Sequence, residues 1–352
     1  MAASHPLTRM ARDPEAAARW ALGRMAAAAA EDVRFDAVAE SALHRVPQDV
    51  AGRYGAHSTA RFESSEPEPA VSETLDDASS AELRQDVSVD VDPCLALTDP
   101  ARLAGAMAAA TDGRLTWHGE RPAIDIVLTP DPESAAPNDP WLPPGADHLA
   151  VSVDVRTGML LRARVFDTQG CFRSGELRLT RTSVDTGPAP ASYGTEAGAV
   201  LAQMATSRLD PVRLRSEIDA EPGLSELLTP ASLPSRRRWT VTVHSPGSTL
   251  TTDISGDYRS DQATPAAARL SELLTPARIV SHLAHATPTG PDSIRSTVRP
   301  LRSFPLSAWA PEEDLTCEFT IDPTTGILLH ARTVDAASRT LFRCDVRTHH
   351  RV

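Results

Sequence analysis

A segment of fourteen residues occurs twice in this chain, and it limits the possible folds more than any other feature. Residues 154–167 read Asp-Val-Arg-Thr-Gly-Met-Leu-Leu-Arg-Ala-Arg-Val-Phe-Asp, and residues 322–335 read Asp-Pro-Thr-Thr-Gly-Ile-Leu-Leu-His-Ala-Arg-Thr-Val-Asp; eight of the fourteen positions are identical. Further upstream, Leu97-Thr-Asp-Pro-Ala-Arg-Leu103 matches Leu274-Thr-Pro-Ala-Arg-Ile279. The stretch between the two matches is shorter in the second copy. The missing part falls where the first copy carries Pro130, Pro132, Pro137, Pro140, Pro143 and Pro144, in a Pro-rich loop over residues 129–145.

The repeated segment reads as a β-hairpin. Leu149, Val151 and Val153 alternate with Ala150, Ser152 and Asp154, and Cys317, Phe319 and Ile321 alternate with Glu318, Thr320 and Asp322. Period two with one apolar side marks a half-buried strand. Asp-x-x-Thr-Gly then turns the chain, with Gly158 or Gly326 free to take positive φ. The return strands place Leu161, Ala163 and Val165, or Leu329 and Ala331, on the dry side, and Arg162 and Arg164, or His330 and Arg332, on the wet side. A third strand follows in each copy, through Leu177 and Leu179 or through Phe342, Cys344 and Val346.

The pattern predicts an α+β fold of two tandem curved antiparallel sheets. Each is covered on its dry face by short helices, starting at Ala101 or Ala277, behind a helical N-terminal region. Residues 1–57 are expected to be that helical region, with Asp13 as cap and Pro14 at the first helical position of a helix running to about residue 44. Residues 58–81 read as a linker, 82–186 as the first module, 187–234 as a helical connector and 235–352 as the second module. A helix is expected over 196–215, with Val200, Leu201, Met204 and Leu209 buried.

A Pro-Ala-Arg helix start, a strand pair and then Asp-x-x-Thr-Gly-x-Leu-Leu together resemble the lipoprotein-carrier-like superfamily. This group holds periplasmic lipoprotein carriers, lipid-binding lipoproteins and regulators that sense stray lipoproteins. The resemblance covers about residues 97–181 and 238–347 and implies a half-barrel with helices across its concave face and acyl chains between the two layers. On that basis Leu161, Ala163, Val165, Phe319, Ile321, Leu329 and Ala331 are candidate cavity residues. Trp141 and Trp309, one before the paired strands of each copy, are candidates too, read as rim anchors in preference to mobile gates. The expected function is non-enzymatic binding of an apolar or lipid-like ligand. The alternative is a regulatory or structural protein-interaction module with a filled core, whose Arg-studded outer face or N-terminal helix binds a partner protein.

The remaining signals exclude more than they add. All 35 basic residues are Arg, a bias of the kind that GC-rich codons in a bacterium produce, and the net charge of −12 argues against nucleic acid. His282 and His285 would stand one helical turn apart on a helix, but no third ligand follows, so no metal is assigned. The chain has no Gly-x-Ser-x-Gly elbow, no phosphate loop, no His-Glu-x-x-His and no dinucleotide fingerprint, so no catalytic residue and no cofactor are assigned. No apolar run approaches the length of a membrane span, the Ala-rich run before Glu31 is too short for a signal segment, and the four cysteines show no close spacing; a cytoplasmic protein with reduced thiols is expected.

Overall fold

The computed structural model describes residues 12–31, 33–44, 57–63, 70–73, 93–131, 139–184, 193–210, 212–220, 237–245, 248–255, 265–299, 307–310 and 315–351. The first half runs α1 (Pro14–Ala27), a 3-10 turn (Ala28–Ala30), β1 (Phe35–Leu43), β2 (His57–Glu63), β3 (Ala70–Glu73), α2 (Pro93–Thr98) and α3 (Ala101–Ala104). It continues with β4 (Met107–His118), β5 (Arg121–Pro130), β6 (His148–Asp154), β7 (Leu160–Asp167) and β8 (Gly170–Thr182). The second half runs α4 (Glu196–Thr206), a 3-10 turn (Ser207–Leu209), β9 (Val212–Ala220), β10 (Arg237–Ser245), β11 (Ser248–Ser255), α5 (Pro265–Leu274) and α6 (Ala277–Val280). It ends with β12 (Leu283–Gly290), β13 (Ser293–Val298), β14 (Thr316–Ile321), β15 (Leu328–Val334) and β16 (Thr340–Arg351).

The strands form two open sheets, ordered β3-β2-β1-β8-β7-β6-β5-β4 and β11-β10-β9-β16-β15-β14-β13-β12, so each strand of the first has a counterpart at the same place in the second. The two expected hairpins are present: β6 pairs antiparallel with β7 from His148↔Phe166 to Val153↔Leu160, and β14 with β15 from Thr316↔Val334 to Ile321↔Leu328. In both pairs the register shifts at the second Leu of the turn, so Leu161 and Leu329 are equivalent β-bulge residues. The sheets differ at one place. β2 lies antiparallel to β1, whereas β10 runs parallel to β9.

Several expectations for the connecting segments need correction. The first helix ends at Ala27 with a 3-10 turn to Ala30, and Phe35–Leu43 is a strand paired with β2 and β8. Thus 1–57 is not helical throughout, and this strand belongs to the first sheet. The 58–81 segment contains most of β2 and all of β3, so it is not wholly a linker. The 187–234 connector likewise holds β9, which pairs with β16 inside the second sheet, and helix α4 with its 3-10 turn stops at Leu209, short of residue 215. No hydropathy pattern marks β1, because its inward residues are Ala37, Ala39 and Ser41 while the positions between and beside them include Val38 and Ala42.

The four-residue helices α3 and α6 pack on each other between the halves. The sheets are covered elsewhere: α2 lies on β1, β2, β7 and β8; α5 on β11 and β15; α1 on β4, β5 and β6; and α4 on β12 and β13. Helices α1 and α4 also pack on one another, each capped by a side chain. Asp13 Oδ1 accepts the amides of Glu15 and Ala16 at 3.1 and 3.0 Å, and Thr195 Oγ1 accepts that of Gly198 at 2.9 Å. Small residues let this pair approach closely. A Cβ on Gly23 would lie 2.7 Å from the Tyr193 ring, and one on Gly198 would lie 3.2 Å from Ala27. Ion pairs link the two halves. Arg19 grips Asp210 through two hydrogen bonds of 2.8 and 2.5 Å, Asp131 accepts from Arg208 at 3.2 Å and from Arg278 at 2.7 Å, and Arg299 pairs with Asp99.

The shared turn is fixed by its own side chains and by the helix above it. Asp154 Oδ1 accepts the amides of Arg156 and Thr157, both at 2.8 Å, and Asp322 accepts the Thr324 amide at 2.9 Å and the Thr325 hydroxyl at 2.7 Å. Gly158 and Gly326 have φ of +78° and +69°. Each also lies directly under a helix carbonyl: an added Cβ would meet Arg24 O of α1 at 2.4 Å, or Gln203 O of α4 at 2.9 Å. Gly158→Val and Gly326→Val are each predicted to cost at least about 2 kcal/mol from backbone strain alone. The Gly158 variant should be the worse, because its backbone clash is closer. Urea midpoints of the two variants check this, and a neutral result at either position would mean that the turns are not equivalent.

Candidate functional site

The structure divides the nine residues singled out from the sequence between the two dry faces. Ala163, Val165, Trp141, Phe319, Ile321, Ala331 and Trp309 belong to one apolar cluster of buried residues; Leu161 is buried at its bulge, and Leu329 is partly buried against the same cluster. The indoles are fixed at both ends. Trp141 is wholly buried, its Nε1 donates to Pro93 O at 3.0 Å, and its ring lies where a Gly175 side chain would be, 2.6 Å from a built Cβ. Trp309 is also wholly buried, and its Nε1 donates to Arg269 O at 3.0 Å. The loops carrying them are pinned by buried acids. Asp139 Oδ1 accepts the amides of Trp141 and Leu142 at 2.8 and 2.9 Å, and Glu272 takes the Ser307 hydroxyl at 2.6 Å and the Ala308 amide at 3.1 Å. Arg102 pairs with Asp139, and burial lowers this guanidinium to about 9.

The other sequence candidates are not brought together. His282 follows the end of α6 and is buried, while His285 lies in β12 with φ of +53°, so the two do not share a helical face. Among the described residues no three His, Cys, Asp or Glu side chains converge as metal ligands would. Cys317 and Cys344 are buried free thiols on β14 and β16, with β15 between them. Burial pushes the Cys317 thiol up to about 12 and raises that of Cys344 as well, the opposite of what a nucleophilic cysteine needs.

A cavity of about 480 Å³ opens on the other side of the first sheet. It lies over β1, β8 and β7, with Arg162, Arg164 and Phe166 along one wall, Glu40 and His44 along the other, and Ser174 and Glu176 between. His148 stacks on Phe166 at 4.6 Å, His44 Nε2 meets Ser174 Oγ at 2.8 Å, and Arg178 pairs with Glu40. Arg162 and Arg164 are exposed and form no ion pair among the described residues.

The same positions of the second sheet are all committed. Arg295 holds Glu318 through hydrogen bonds of 2.9 and 2.6 Å, and Arg332 reaches the same carboxylate at 3.4 Å. His330 and Arg343 share Asp345 at 2.6 and 2.8 Å. The strand registers supply the reason for the difference. Arg332 faces Glu318 across β14 and Arg343 across β16, whereas Arg164 faces Ala150 across β6 and Ser174 across β8. The sequence places arginines on both outer faces; the contrast between them emerges only from the cross-strand register.

The sequence matches no protein-family model and no curated protein. Among solved structures it is similar to MucB in complex with MucA(peri), with 16% identity, a TM-score of 0.25, 51% of this chain and 60% of that chain covered. It is similar to MucB alone with 13% identity, a TM-score of 0.26, 94% of this chain and 92% of that one covered. A DUF1329 family protein from Desulfovibrio piger follows with 12% identity, a TM-score of 0.21, 53% of this chain and 99% of that one covered. At these TM-scores none of the likenesses carries a functional argument. No described helix is long and apolar enough to cross a membrane.

The ion-pair ladder of the second sheet makes its stability depend on pH. Partial burial works to raise Glu318 and Asp345, but the Arg295 and Arg332 guanidinium groups outweigh it for Glu318, and His330 and Arg343 outweigh it for Asp345, so both carboxyls titrate below their ordinary values. A depressed carboxyl stabilises the fold fully above its unfolded pKa, about 4, and that contribution is lost as pH falls through the lower folded value. Urea midpoints measured between pH 6 and pH 2 should therefore fall below about pH 4. The slope should be shallower in the Glu318→Gln, Asp345→Asn double variant; an unchanged slope would show that these pairs do not contribute.

Proposed function

We propose that the chain is a tandem pair of related α+β units acting as a non-enzymatic protein-interaction module, with the outer face of the first sheet as its binding surface. The observation that carries this reading is a cavity that opens on the polar face, beside arginines that form no ion pair among the described residues. The dry side has its own occupants. Trp141 fills the space over Gly175, α2 and α5 lie across the strands, and every candidate cavity residue except Leu161 packs into or against one apolar cluster. On this reading Leu161, Ala163, Val165, Phe319, Ile321, Leu329 and Ala331 are core, and Trp141 and Trp309 are anchors that lock the covering helices down.

The competing reading, an apolar or lipid-like ligand between sheet and helices, requires an apolar void of some hundreds of Å³ on the dry side. Two measurements decide between them. Native mass spectrometry of the protein purified from its own host is expected to give the mass of the chain without an apolar adduct. Ala163→Leu and Ala331→Leu, both at fully buried positions, are expected to destabilise by about 1–3 kcal/mol each through overpacking. A co-purified lipid, together with leucine variants as stable as the parent, would replace the interaction reading with the carrier reading.

A further inference from the structure

We infer that the outer face of the first sheet receives an extended acidic peptide segment of a partner protein, with carboxylates at alternate positions and an apolar side chain two residues beyond them. This rests on the interaction reading above and names the chemistry of its partner. Arg162, Arg164 and Phe166 are successive outward residues of one strand, β7, and all three line the cavity. Outward positions of a strand recur about every 7 Å, the same repeat as alternate side chains of an extended peptide laid along it. Two guanidinium groups at that spacing match two carboxylates at the same spacing, and each pair can form charge-assisted hydrogen bonds. The Phe166 ring, backed by the stacked His148, provides an apolar landing at the end of the row.

The charge of the site favours a peptide over a polyphosphate. Glu40 is neutralised by Arg178, and Glu176 stands across from Arg162 in register without pairing to it, so two free guanidinium groups face one free carboxylate. That modest positive excess suits a pair of side-chain carboxylates and is too small for a densely charged backbone. The second sheet provides an internal control, since Glu318 and Asp345 of this chain already occupy the equivalent guanidinium and imidazole groups. At Arg164 the first sheet lacks the acid that the second supplies for itself, Ala150 standing where Glu318 stands, while Glu176 stands where Asp345 does without pairing to Arg162.

The test is fluorescence anisotropy of the full chain with a labelled peptide containing Asp-Ser-Asp-Ser-Leu, beside a control in which both Asp are Asn. Saturable binding of the acidic peptide is expected, weakened by raising salt from 50 to 300 mM. The Arg162→Ala, Arg164→Ala double variant should bind about tenfold more weakly, whereas Arg332→Ala in the second sheet should bind within about twofold of the parent. Both substituted arginines of the first sheet are exposed, and an unchanged circular dichroism spectrum confirms that the variant is folded. Equal binding of the Asn peptide, absence of acidic-peptide binding, or a double variant that binds like the parent overturns the inference. Competition by inorganic phosphate at concentrations where acetate has no effect also overturns it, in favour of a phosphate site. None of these outcomes bears on the broader interaction reading, which stands or falls on the mass spectrum and the leucine variants.

Discussion

Helix carbonyls resting on turn glycines hold each half of this protein together. Arg24 O sits over Gly158 and Gln203 O over Gly326, so the hairpin turn at one end of the central strands and the C-terminal turn of the opening helix are in contact with nothing between them. The Arg24 side chain adds to this by donating to Val155 O and by pairing with Glu31. A sheet with one apolar face has to be covered, and the helix that docks on the turn lies over strands of that sheet: α1 over β4, β5 and β6, and α4 over β12 and β13. From that docking follow the places of β1 and β9. Each strand leaves its helix through a 3-10 turn and enters its sheet beside β8 or β16, far along the chain from where it began.

The two halves then share their helices at a common centre. The 3-10 turn after α1 touches β12 of the second sheet, and the one after α4 touches β4 of the first, so each opening helix braces the other half's edge strand as well as its own sheet. Edge strands left open invite pairing with other chains, and covering them is a recurrent solution. The ion pairs from Asp131 to Arg208 and Arg278 lie at this junction and are mostly shielded from water. Because every basic residue is an arginine, such contacts can be bidentate and directional, as Arg19 with Asp210 shows.

What could be read from the sequence depended on how much chemistry each element displays. The Asp-x-x-Thr-Gly turns were legible because an acid cap and a positive-φ glycine are needed at fixed offsets, and the flanking Leu, Val, Phe and Ile give strong alternation. The strands β1 and β2 were not, since their inward residues include Ala37, Ala39 and Ala60, and small inward residues beside an outward Val38 leave too little contrast to mark a strand. The parallel placement of β10 has no local signature at all; it depends on the path of the chain between β9 and β10. The His282 and His285 pair misled because the helix ends at Val280, after a Pro-started single turn. The apolar site candidates are buried or partly buried, yet burial alone does not separate a core residue from a cavity wall, and the positions of Trp141 and α2 over the strands bear on that difference.

The outer face was half legible. Alternation put Arg162 and Arg164 outward, but whether an outward arginine is free or paired is decided by what faces it on strands that lie elsewhere in sequence. At the position facing the return-strand arginine, the first sheet has Ala150 and the second has Glu318, and that single exchange separates an open guanidinium from a closed one. An arginine paired within its own sheet stabilises that sheet and has little left to offer a partner, while an unpaired one is solvated and available. Two sheets of the same strand order can therefore diverge in role through a few cross-strand positions on the wet face, with the buried stripe, the turn and the docked helix unchanged, because the residues that form those three features lie on the other side of the sheet.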